Sequence, residues 1–337
     1  MTAAALDKGG PAAASREPAA PAASSAGPAR SALGQARRAS HAVLAKGSKS
    51  FALAGKLLPA GAADDAAVIY AFCRHADDAI DCAPNQAGRV LALAELRRDL
   101  SLVYEAAPVE GPLLSALQEV ARRRALPRPY LEALLDGFEM DVQGAAYYTV
   151  EELLLYCHRV AGTVGLLMCH VLGVRSEAAL RRAAHLGIAM QLTNICRDVA
   201  EDWSLGRVYL PRQLFFLPVL PGGTFPVRAA PSARLAVHAL LEEAKAYYRS
   251  ADEGIAQLGF RQGLAVRTAR LVYSAIGDRL QAQGCDVLAG RAVVPTWRKL
   301  WFAARAFATA LFEARRRLPA PRLPHSVLRF PDDVLPL

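Results

Sequence analysis

Two short stretches of this chain hold carboxylates at a spacing that suits a metal ion. In residues 70–81, Asp77 and Asp81 stand four apart with Asp78 between them; in residues 191–202, Asp198 and Asp202 repeat the spacing, with Asn194 one turn earlier and Arg197 adjacent. On a helix, residues four apart share a face, with about 5–6 Å between their Cβ atoms. Like charges so placed repel, and within apolar helices they are costly unless something cationic lies between them. The flanks are apolar in both copies: Ile69, Phe72 and Ile80 around the first, Leu192, Ile195 and Val199 around the second. Mg²⁺ fits, because it takes hard oxygen ligands, keeps several waters and is held by one or two carboxylates together with substrate phosphates. Mn²⁺ is the alternative, being served by the same oxygen ligands. Two such faces opposed across a helical bundle would clamp diphosphates, with Arg74 and Arg197 adding bidentate contacts. A single Asp-x-x-x-Asp is ordinarily a solvated helix face. Two copies, each with an arginine just before or one turn before the acids, are more than such a face requires.

The elements that must position these acids are helical. From about residue 40 to residue 317, apolar residues recur at three- and four-residue spacing, while alternating, β-branched strand signals are scarce. Prolines 59, 84, 108, 112, 127 and 129 punctuate the first half. The second half predicts buried helices over residues 153–174 and 178–202 and long helices over 233–258 and 263–283, with a Pro/Gly-rich connection at 211–231. The expected fold class is all-α, a single domain over residues 41–312. Residues 1–40 contain 28 Ala, Gly, Pro or Ser, which predicts a disordered extension, and residues 313–337 form a tail. Asp64, Asp65 and Arg122 to Arg124 are assigned to solvated faces or helix ends.

Composition excludes several classes. Hydrophobic residues make up 53% and charged residues 21%, with mean hydropathy +0.17, which suits a globular chain and no disordered or collagen-like one. Of the net charge of +9, residues 1–40 hold +3 and residues 313–337 hold +2, leaving too dilute a charge on the remainder for a nucleic-acid surface. The six cysteines form no CxxC, arguing against a zinc site or disulfide framework and for a reducing compartment. The longest nearly apolar run, residues 160–174, falls short of the ~20 residues that span a bilayer. The chain is expected to be cytoplasmic, with organelle targeting left open by the Arg- and Ser-containing extension.

Taken together the motifs resemble the squalene/phytoene synthase family, head-to-head prenyltransferases of the all-α class I isoprenoid (terpenoid) synthase fold. The resemblance runs over roughly residues 46–300: residues 48–51, the two aspartate segments at 70–81 and 191–211, and two blocks between them at 136–141 and 156–165. Tyr273 and residues 286–291 are similar to the family's last substrate-contacting segment.

The resemblance implies the roles. Asp77, Asp81, Asp198 and Asp202 would carry Mg²⁺, with Asn194 as a further ligand and Gln191 completing the polar lining. Arg74, Arg197 and Arg291 would bind diphosphate oxygens. Lys49, with Ser48 and Ser50, would belong to a flap that keeps water from a carbocation; Ser48 could equally be a plain helix N-cap. Tyr70, Tyr156 and Tyr273 would lie near the reacting carbons, offering ring faces to a cation and hydroxyls for proton transfer. Gly162 and Gly165, which cost helix stability, would permit a close helix approach or a kink that makes room for a long prenyl chain. The three histidines His75, His158 and His170 share no metal-ligand spacing.

The implied partners are two prenyl diphosphate molecules, and the implied reaction makes phytoene from two geranylgeranyl diphosphates without NADPH. No apolar anchor follows Leu311, which favours this branch over squalene synthesis. Farnesyl-using relatives making dehydrosqualene, presqualene diphosphate or squalene remain open, as does a non-catalytic relative, which would have lost the aspartates. A long hydrocarbon product further implies peripheral membrane contact around the cavity mouth.

Overall fold

The computed structural model describes residues 26–105, 107–217 and 219–316. Among them are twelve α-helices and no strand: α1 (Ala26–Gly47), α2 (Lys49–Gly55), α3 (Ala60–Asp81), α4 (Gln86–Tyr104), α5 (Pro112–Arg124), α6 (Arg128–Val142), α7 (Val150–Cys157), α8 (Thr163–Leu172), α9 (Glu177–Ser204), α10 (Ala230–Ile255), α11 (Phe260–Ala282) and α12 (Thr296–Arg316). Local chemistry sets the starts. Asn85 accepts from the Gly88 N–H at 2.9 Å ahead of α4, and Thr149 with Glu152 closes a capping box on α7. Pro112 and Pro231 sit in first turns, where a missing N–H costs nothing. That is why α10 begins before Pro231, earlier than the proline-rich connection suggested.

Two apolar clusters make the core. Residues of α7, α9, α10 and α11 build one, and residues of α3 to α6 and α8 build the other. The stretch Val150–Leu172 is one helical run of 23 residues through a π-helical turn at His158–Gly162. It is longer than the apolar segment at 160–174, and most of it is buried inside the bundle, which makes it a core element. Its contact with α9 is backbone to backbone. A Cβ on Gly187 would strike the Ala161 carbonyl, and one on Gly165 would strike the Ala183 carbonyl. This is the close approach expected of the Gly162–Gly165 region, and it fixes α9, whose C-terminal turns bear the second acid pair.

The structure corrects two readings. Helix α1 starts at Ala26, inside the segment read as extension through residue 40, and Ala36 and Ser40 are buried where α1 packs on α3 and α5. Alanine-rich composition lowers apolar content yet favours helix, and the burial comes from distant helices. Asp65 is not solvated either. It is fully buried, paired with Arg123 and, at 2.6 Å, with Arg124, joining α3 to α5. Expectations for residues 1–25 and 317–337 fall outside the described residues.

Candidate active site

An apolar cavity of about 350 Å³ opens between α2, α3, α8, α9, α10 and α11. Along α9 its lining runs from Ala179 to Asn194, which at 1.5 Å per residue is roughly 22 Å. Small side chains, among them Ala66, Ala183 and Ala265, leave the space. Tyr70, Gln191, Asn194 and Tyr273 supply polar groups to the lining, and the two acid pairs lie just beyond, at the C-terminal ends of α3 and α9.

On α3, Arg74 reaches forward along its own helix to Asp77 at 3.2 Å and Asp78 at 2.6 Å. Burial, reinforced by the charge of Asp81, pushes the Asp77 carboxyl up to about 6, against the pull of Arg74. Solvent nevertheless reaches 42% of the Asp77 side chain, so water at the mouth moderates that shift. On α9, Asp198 is held between two arginines: Arg197 at 2.8 Å and Arg291, from beyond α11, at 3.1 Å. Arg291 also approaches Glu201 at 3.5 Å. Burial, followed by the charge of Asp198, pushes Asp202 up to about 7.

Arg207, in the connection after α9, lies within electrostatic reach of both pairs. It is bonded to Asp81, and its charge lowers the carboxyls of Asp77 and Asp202. Asp141, at the end of α6, joins the same group. It accepts hydrogen bonds from Tyr156 at 2.9 Å and Tyr209 at 2.7 Å, while burial raises its carboxyl above the usual range despite both bonds. Tyr147, Tyr156 and Tyr209 stack against one another around it. Tyr156 thus sits in a tyrosine cluster behind the acids, and Tyr70 and Tyr273 face the apolar cavity.

Of the segment 48–51, Phe51 lines the cavity. Ser48 caps α2 by accepting from the Phe51 N–H at 3.2 Å and also hydrogen-bonds Tyr273. Phe51 stacks on Tyr273, centroids 5.0 Å apart, and meets Tyr70 edge-on at 6.2 Å. The Tyr70 hydroxyl packs against Gly47, where any Cβ would collide with it. Lys49 is exposed and Ser50 half-buried. Ser48 is therefore both a cap and a contact of the cavity lining.

Arg207, Asp141 and Tyr209 were not singled out as functional by the sequence reading, although the blocks at 136–141 and 206–211 contain them. No local signal marks Asp141: Asp136 and Glu139 of the same block pair with Arg97 on α4, whereas Asp141 meets Tyr156 and Tyr209, and only the fold separates them.

The donor set suits a divalent cation. It consists of hard oxygens, two of its carboxyls are raised toward neutral pH by burial and by the neighbouring aspartate, and the buried Asn194 Oδ1 has no hydrogen-bond partner. Among the described residues no three or more His, Cys, Asp or Glu side chains form a ready cage. Each acid pair would thus need substrate phosphates and water to complete an ion's coordination, which is how Mg²⁺ is commonly bound.

The profile of the squalene/phytoene synthase family matches residues 44–298. A 15-cis-phytoene synthase of Pantoea ananas is 37% identical over 300 residues, spanning 85% of this chain and 96% of that protein. That of a Paracoccus species is 40% identical over 253 residues, 73% of this chain and 82% of that protein. The crystal structure of a dehydrosqualene synthase in complex with a ligand superposes with a TM-score of 0.73 at 28% identity, covering 83% of this chain and 98% of that one.

Proposed function

The chain belongs to the squalene/phytoene synthase family, and on that footing we propose that it joins two geranylgeranyl diphosphates head to head to make phytoene, the first committed step of carotenoid synthesis. The observation that carries the reading is the placement of two acid pairs, with Arg207 bonded to Asp81 of the first, at the mouth of a long apolar cavity.

In the first half-reaction the C–O bond of one substrate breaks, its electron pair leaving with diphosphate. The double bond of the second substrate captures the allylic cation, and proton loss closes a cyclopropyl diphosphate. In the second half-reaction the remaining diphosphate departs, the cyclopropylcarbinyl cation rearranges, and loss of another proton yields phytoene without a reductant. Bound through Asp77, Asp81, Asn194, Asp198 and Asp202, Mg²⁺, or Mn²⁺ in its place, would neutralise charge growing on the leaving oxygens.

The chain's own residues do the rest. Arg74, Arg197 and Arg291 are placed to contact diphosphate oxygens once these draw the arginines off the carboxylates. Lys49, Ser48 and Ser50 cover the reacting end, and Phe51, Tyr70 and Tyr273 present ring faces to the cation while excluding water. Tyr156 and Tyr209 hold Asp141 by hydrogen bonds, and the charge of Asp141 supports that of Arg207. A product this apolar calls for peripheral contact with a membrane.

The test is to supply purified protein and Mg²⁺ with geranylgeranyl or farnesyl diphosphate, each with and without NADPH, and to identify products by mass. Phytoene from the longer substrate, independent of NADPH, is expected. Product from farnesyl diphosphate alone would move the chain to another branch of its family, and no turnover of either substrate would point to a non-catalytic member.

A further inference from the structure

Helix α12 packs on α11 with Ala306 and Ala310 turned inward. Its other face exposes Trp297, Leu300, Trp301, Phe307, Leu311 and Phe312, and Phe260, at the start of α11, extends this surface by an edge contact to Phe307 at 5.7 Å. Residues 296–312 contain Arg298, Lys299 and Arg305 and no acid. The guanidinium groups of Arg298 and Arg305 lie over the rings of Trp297 and Trp301, 5.6 and 5.8 Å from their centroids. Aromatic side chains interleaved with cations on one helix face are the chemistry of an interfacial helix on anionic lipid. A second exposed apolar stretch, around Phe216 and Leu220, has no charged residue between 213 and 227.

The position of α12 links this face to the active site. Arg291, five residues before the helix, pairs with Asp198. Phe302 packs against the apolar cluster that contains Tyr273. The aromatic face therefore starts beside the cavity mouth.

We propose that the exposed face of α12 docks on an anionic lipid bilayer, its aromatic side chains at headgroup depth and its cations on lipid phosphates, setting the cavity mouth against the apolar phase. The proposal deepens the membrane contact inferred above and takes its purpose from that reading, but docking is measurable without turnover.

The chain holds three tryptophans, Trp203, Trp297 and Trp301; Trp203 is buried and the other two lie on this face. The full chain is floated with phosphatidylglycerol/phosphatidylcholine vesicles and with phosphatidylcholine alone, and tryptophan fluorescence is followed with acyl-brominated lipid. Flotation with the anionic vesicles that weakens in high salt, together with bromine quenching, is expected. The double variant Trp301→Glu/Phe307→Glu should lower the bound fraction at least about tenfold, with an unchanged melting curve and unchanged turnover of detergent-dispersed substrate. Equal flotation of wild type and double variant, or no quenching, overturns the proposal. So does vesicle binding that appears only after residues 318–337 are deleted, which makes the tail the occupant, or a dimer that the variant dissolves without any lipid binding, which makes it a second copy. A chain that floats but makes no phytoene contradicts the reaction and not the docking; an active chain that does not float contradicts the docking alone.

Discussion

The guanidinium of Arg207 lies against the carboxylate of Asp81, 126 residues away in sequence, and so ties the connection after α9 to the end of α3. From there its charge also lowers the carboxyls of Asp77 on α3 and Asp202 on α9. Arg207→Ala should lower turnover roughly 10- to 100-fold, the usual consequence of removing a group that orients metal-binding side chains. Arg207→Lys should restore part of it, since a point charge replaces the planar fork incompletely. Steady-state kinetics with circular dichroism to confirm folding would check this; full activity in Arg207→Ala would remove the arginine from the account.

The cavity along α9 makes a second prediction, about chain length. Ala179 lines it some 15 residues N-terminal to Asn194, so Ala179→Phe should shorten the space without touching the acids. Relative to farnesyl diphosphate, kcat/KM for geranylgeranyl diphosphate should fall about tenfold or more, the order of discrimination that apolar pockets provide. Equal losses for both substrates would mean that the cavity depth does not measure the prenyl chain.

A third concerns pH. His158 sits in the π-helical turn, buried, with neither ring nitrogen hydrogen-bonded. Burial, aided by the charge of Arg159, lowers its pKa from 6.5 to about 4. The unfolded chain therefore binds a proton between these values that the folded chain refuses, so stability falls as pH drops from about 6.5 and the loss is complete below about 4. At 1.36 kcal/mol per pKa unit the whole effect is on the order of 3 kcal/mol. Urea midpoints measured from pH 7 to 5 should fall less steeply for His158→Phe than for the wild type; parallel curves would contradict the assignment.

A fourth isolates stability from chemistry. Asp65→Ala strips the buried partner from Arg123 and Arg124. Removing one member of a buried pair is strongly destabilising. Because Arg123 and Arg124 remain 37% and 26% exposed, the loss should be smaller, on the order of 2 kcal/mol. Chemical denaturation would show it, with turnover of the folded fraction unchanged.

The acid pairs could be found in the sequence because their chemistry is local: Asp77 with Asp81 and Asp198 with Asp202 announce a shared helix face by spacing alone. The helices themselves were visible for the same reason, in the period of their apolar residues. Asp65 was misassigned because its partners lie on α5, 58 and 59 residues away, and nothing in its neighbours distinguishes a buried acid from a solvated one. The start of α1 was hidden by composition, since an alanine-rich segment shows little apolar period until α3 and α5 cover it. Arg207 and Asp141 were within visible motifs, but their function lies in contacts across the fold. The π-helical turn at His158–Gly162 has no sequence period of its own; it arises where Val160 and Ala161 meet the cavity and the glycines of α8 and α9 bring two backbones together.

The central claim is that the carboxylates of α3 and α9 together drive departure of diphosphate with a divalent cation. The most direct test measures phytoene formed from geranylgeranyl diphosphate across a Mg²⁺ titration for the wild type, Asp77→Asn and Asp198→Asn, in protein verified as folded. A wild-type rate that rises from zero with Mg²⁺ and falls by at least about a hundredfold in each variant is the result expected. Turnover that survives chelation, or that either variant retains in full, would contradict the account.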